Sequence, residues 1–82
     1  MKSIGSDRYV ALIDLFKARR LQRNLRQEDL ADKLGWHRNT ISRLELRQRR
    51  LDIVETLDLA HELKITVRRI EAVLRTRTRA CA

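Results

Sequence analysis

Residues 27–46 read QEDLADKLGWHRNTISRLEL. The first half has the marks of a short helix. Leu30, Ala31 and Leu34 recur at helical spacing, and Glu28, Asp29 and Asp32 lie early, where the helix dipole favours carboxylates. The pattern predicts a helix over 27–34, stopped by Gly35, which enters the left-handed backbone region without a Cβ clash. The second half predicts a helix over 37–45 with a thin apolar stripe. Ile41 and Leu44 are its apolar pair, and His37, Arg38, Asn39, Thr40, Ser42 and Arg43 surround them. A helix polar over most of its circumference is either solvated surface or a surface made for a polar target.

The join between the two halves favours the second alternative. A helix-turn-helix sets two helices at a steep angle across a turn of three or four residues. The close crossing needs a small residue in the first helix, and Ala31 supplies it. Gly35 supplies the turn, and Trp36 fills it. Ile41 and Leu44 are enough to hold the second helix to the first, which leaves its other faces available to a DNA major groove.

Outward from this pair, Ser6 or Asp7 can cap a first helix over about 6–22, with Val10, Leu12, Ile13, Phe16 and Leu21 at helical spacing and Asn24 ending it. Asp52 is placed to cap a fourth helix that runs to Leu63, with Ile53, Leu57, Ala60 and Leu63 expected inward. Thr66 caps a fifth, whose stripe is Val67, Ile70, Val73 and Leu74. Arg26 stands where a capping Ser or Thr is expected and cannot accept a backbone hydrogen bond. Residues 1–5 read as a flexible N-terminus, 6–75 as one compact all-α domain of five helices, and 76–82 as a loose basic tail.

The totals narrow the function. Nineteen Lys and Arg against eleven Asp and Glu give a net charge of +8 over 82 residues. Such a balance in a small domain points to a polyanion, nucleic acid before an anionic membrane surface; the alternative is charge that only prevents aggregation. Cys81 is alone, so no internal disulfide or cysteine metal site is expected, and His37 and His61 are far apart in the chain. No apolar run approaches a membrane span, and the start lacks the apolar core of a signal peptide. A cytoplasmic protein without metal or cofactor is expected. No spacing of nucleophile, base and acid, and no glycine-rich phosphate loop, supports an enzyme or a small-molecule site.

The stretch LRQEDLADKLGWHRNTISRLE, followed by VETLDLAHELKIT, resembles the phage-repressor-like (Cro/cI-type) helix-turn-helix family over about residues 9–74. Gln27, Leu30, Ala31, Leu34, Gly35, Ile41, Ser42 and Glu45 stand where that family places such residues. The resemblance implies a lambda-repressor-like domain and a sequence-specific regulator of transcription, usually a two-fold dimer on double-stranded DNA. It implies that His37, Arg38, Asn39, Thr40 and Arg43 face the bases: Arg pairs with guanine, Asn with adenine, and Thr with a thymine methyl or a phosphate. It gives Gln27 a phosphate contact and a bracing role. Arg26, Arg47, Arg49 and Arg50 flank the same face as candidates for phosphate contacts, which supply affinity and register. The resemblance also implies a structural ion pair, Arg20 with Glu45, and a dimer surface at Ile65, Val67, Ile70, Val73 and Leu74.

After Glu45 the common family pattern is Glu-x-Gly with a proline a few residues on. Here the chain reads ELRQRRLDI, with Arg47 in the glycine position and Leu51 in the proline position. That version looks like the small controller proteins of restriction–modification systems. An autoregulatory controller or a prophage-type repressor, on the nucleoid of a prokaryote or phage host, is the expected role. The competing role is an antitoxin that binds a toxin protein and its own promoter; the short basic RTRTRACA is all that the five helices leave over to hold such a partner.

Overall fold

The computed structural model describes the backbone of residues 7–80 and the side chains of residues 7–75. Five helices are present among the described residues: α1 (Asp7–Gln22), α2 (Gln27–Leu34), α3 (Arg38–Glu45), α4 (Ile53–Leu63) and α5 (Val67–Ala80). The expected flexible segment 1–5, Ser6 and Cys81 lie outside the described residues. Residues 76–80, expected in a loose tail, continue the backbone of α5.

Helix ends follow one device. Asn24, Gly35, Arg47 and Lys64 all take positive φ, between 59° and 72°. At each, two backbone N–H groups turn back onto the preceding helix. Leu25 N–H reaches the Arg20 carbonyl, Trp36 that of Ala31, Gln48 that of Arg43 and Ile65 that of Ala60. The bond nearer each helix end joins Asn24 to Leu21, Gly35 to Asp32, Arg47 to Leu44 and Lys64 to His61. This is the Schellman arrangement, which satisfies carbonyls that a helix end otherwise leaves open. Leu25, Trp36 and Ile65, each just past the left-handed residue, fold back onto the core. Of these four turns one uses a glycine. Arg47 takes the left-handed conformation itself, so the loop keeps the path that a glycine would give it.

Starts are less uniform. Asp52 caps α4 by accepting from the Glu55 N–H at 2.7 Å, and the Glu55 carboxylate accepts from the Asp52 N–H at 3.3 Å. Thr66 Oγ1 accepts from the Arg69 N–H at the start of α5. At α2 the duties are reversed. Arg26 caps nothing; the Asp29 carboxylate accepts from the Arg26 backbone N–H and from its guanidinium.

The core joins Leu12 and Phe16 of α1, Leu30 and Ala31 of α2, Ile41 and Leu44 of α3, Leu59, Ala60 and Leu63 of α4, and Ile65 and Ile70. α5 packs along α1, α2 on α3, and α4 against α1 and α2. Two expected core residues of α4 lie outside it: Ile53 is 69 % and Leu57 45 % exposed. The helix is apolar over two adjoining arcs. Leu59, Ala60 and Leu63 face α1 and α2, while Ile53, Val54 and Leu57 share the outward arc at helical spacing. Leu21, expected in the stripe of α1, is also exposed. The end of α1 holds the end of α4: Arg19 donates to the Leu63 carbonyl at 2.9 Å and Arg23 to that of Glu62 at 2.7 Å. Cations on the last carbonyls of a helix suit its dipole.

Candidate nucleic-acid interface

α3 presents the surface. Ile41 and Leu44 are buried and fix the helix to the core. Between and around them, His37, Arg38, Asn39 and Arg43 are exposed and Thr40 is half-buried. His37 stands at the N-cap without a side-chain capping bond. His37, Asn39, Thr40 and Arg43 line one shallow open concavity together with Arg49, which arrives from the loop after α3. Arg38 lies exposed at the start of the same helix. A row of donors and acceptors on a helix anchored by two residues can meet base edges without disturbing the core.

One carboxylate ties α3 to its neighbours. Arg20 of α1 donates through Nε to Glu45 Oε2 at 2.6 Å and through Nη2 to Oε1 at 3.0 Å, while Nη1 donates to the Leu25 carbonyl at 2.7 Å. Gln27 Nε2 donates to Glu45 Oε1 at 3.0 Å. The last residue of α3 thus accepts from α1 and from the first residue of α2. The Arg20 and Glu45 side chains are only 8 % and 10 % exposed. Removing one partner of such a pair strands a buried charge, at a cost of roughly 3–5 kcal/mol. No buried side-chain polar atom is left without a partner among the described residues.

The four flanking arginines are not alike. Arg26 pairs with Asp29 and Glu28 in the open, and its guanidinium holds the Asp29 carboxyl below the usual aspartate range. Arg49 forms a two-pronged pair with Glu55, at 3.0 and 2.8 Å, and its hydrogen bonds hold the Glu55 carboxyl below the usual glutamate range. Arg47 and Arg50 are exposed in the loop. Among the described residues Arg38, Arg43 and Arg47 have no carboxylate within ion-pair distance.

The expected dimer residues divide. Ile65 and Ile70 are buried in the core of the single chain, Val73 and Leu74 are half-buried, and Val67 is 61 % exposed. Helix spacing alone cannot tell a stripe that faces its own core from one that faces a partner, because both are apolar. Two residues that matter to the site escape the sequence reading. Tyr9 bonds the loop after α3, and Glu55 is the partner of Arg49. Glu55 is legible in part, as the third residue after the Asp52 cap. Tyr9 carries no local signal, since its partners lie forty positions away in the chain.

Among the described residues no group of three or more His, Cys, Asp or Glu is placed to hold a metal ion, and no helix is long and apolar enough to cross a membrane. Fold and site together define a helix-turn-helix domain built to present one polar helix. The pattern of the helix-turn-helix family matches residues 16–70, well over half of the chain. The chain belongs to this Cro/cI-type family, whose members are DNA-binding transcription regulators. No curated protein matches it.

Proposed function

We propose that the protein binds a pseudo-palindromic operator in double-stranded DNA as a homodimer and regulates its own operon, as a restriction–modification controller or a prophage-type repressor does. The observation that carries this is α3: two buried residues hold it, and His37, Arg38, Asn39, Thr40 and Arg43 are turned away from the core. Arg38 and Asn39 read bases, with Thr40 and Arg43 beside them. Arg47, Arg49, Arg50, Arg26 and Gln27 contact phosphates and set register. Gln27 keeps an amide hydrogen for a phosphate while bracing Glu45. The two-fold contact uses outward apolar residues, Val67 on α5 and Ile53, Val54 and Leu57 on α4. It sets two copies of α3 one DNA turn apart.

Selection of bound duplexes from the source genome at about 150 mM salt tests this. The expected product is a short pseudo-palindrome upstream of the protein's own gene. Arg38→Ala should flatten preference at one base in each half-site, where a two-pronged arginine contact is worth roughly 1–3 kcal/mol. Unchanged preference would overturn the assignment of Arg38. If no sequence is preferred at all, the operator reading fails, and a toxin becomes the first partner to test.

A further inference from the structure

The segment between α3 and α4, residues 46–52, carries three of the candidate phosphate contacts. It contains neither glycine nor proline. Its path is held by a side chain from α1. The Tyr9 hydroxyl donates to the Arg49 carbonyl at 2.8 Å and accepts from the Leu51 N–H at 3.2 Å. One hydroxyl thus grips the backbone on both sides of Arg50, as a neighbouring strand would. The guanidinium of Arg49 is meanwhile fixed by Glu55 at 3.0 and 2.8 Å. Arg49 is clamped at its backbone by α1 and at its tip by α4, and it borders the concavity shared with His37, Asn39, Thr40 and Arg43. The pair with Glu55 engages the two terminal nitrogens by one edge, and the guanidinium has five N–H donors, so donors remain for a DNA oxygen.

We propose that Tyr9 is a positioning residue for DNA binding: from α1, its hydroxyl holds the segment after the recognition helix so that Arg49 meets a phosphate already in place. This rests on the DNA-binding reading above. A segment ordered before binding loses less freedom on binding. The tyrosine restrains from outside a segment that has no proline to restrict its own φ.

The test is a double-mutant cycle of Tyr9→Phe and Arg49→Ala, with operator affinity measured from low to moderate salt. Tyr9→Phe keeps the ring in place and removes the two hydrogen bonds. It is expected to weaken operator binding about three- to tenfold and to lower the slope of log K against log salt, by up to the ~0.9 that one lost phosphate contact gives. In the Arg49→Ala background the same change is expected to alter affinity less than about twofold. A general loosening of the fold would weaken binding equally in both backgrounds and leave the slope alone, and that result overturns the proposal. Hydrogen exchange of the Leu51 amide is the second reading: Tyr9→Phe should speed it while the core amides stay protected. An unchanged Leu51 amide overturns the clamp even if affinity falls. If Arg49→Ala weakens binding and Tyr9→Phe does not, the role of Tyr9 fails and the DNA-binding reading stands. If the unaltered protein binds no DNA, both fail.

Discussion

Arg47 occupies a backbone conformation that side chains resist, at φ 60°. The left-handed region costs a residue with a Cβ roughly 1–2 kcal/mol, and a glycine there avoids it at the expense of a looser unfolded chain. The strained position carries a cation beside α3. Arg47→Gly is therefore expected to raise stability by about 0.5 kcal/mol in a urea titration. In the same protein, operator binding should weaken and the salt slope should fall by about 1. Loss of stability together with affinity would mean that the arginine side chain helps to hold the turn. The arginine in the glycine position was visible in the sequence; that the chain would keep the glycine's conformation was not. The choice is made by two backbone bonds, Arg47 to Leu44 and Gln48 to Arg43, whatever the side chain.

At the level of the helix, the Asp52 and Glu55 box at the start of α4 does two jobs, capping the helix and holding Arg49. The Glu55 carboxyl lies below its ordinary value of 4.5 and that of Asp29 below 3.8, each chiefly because an arginine donates to it. A carboxylate whose folded value is depressed adds stability above its unfolded value. That stability is lost as pH falls through the folded one. Urea midpoints are thus expected to be level above about pH 5 and to fall below about pH 4.5. Glu55→Gln should lower the neutral-pH midpoint and flatten the acid fall; an unchanged acid fall would place the responsible carboxylate elsewhere. Helix boundaries were largely legible here, because caps and stops are local: Asp52, Thr66, Asn24 and Gly35 all act within a few residues. The inward face of α4 was not. Ile53 and Leu57 offer as good a stripe as Leu59 and Leu63, and only the packing of α1 and α2 selects between them.

For the whole molecule, that selection leaves Ile53, Val54 and Leu57 outside, along with Val67. Exposed apolar residues grouped on one helix face are a common mark of a contact surface. Ile53→Glu and Val67→Glu, made separately, should each weaken self-association about tenfold or more by sedimentation if the residue lies at the centre of the two-fold contact. At concentrations where the protein is monomeric the thermal midpoint of each should move little, since neither side chain is in the core. An unchanged dimer in one variant removes that helix from the interface. The candidate site was more legible than this surface. Its residues come from one short helix, the loop after it and the start of α2, so most sequence neighbours stay neighbours in space. Tyr9 is the exception, reaching across from α1. The turns at Asn24, Gly35, Arg47 and Lys64 bear on kinetics as well. Each closes within a few residues, and the chain contains no proline. Folding therefore meets neither long loop closures between successive helices nor a wait of tens of seconds for prolyl isomerisation. A chain joined in this way reaches its native form without a slow phase set by its backbone.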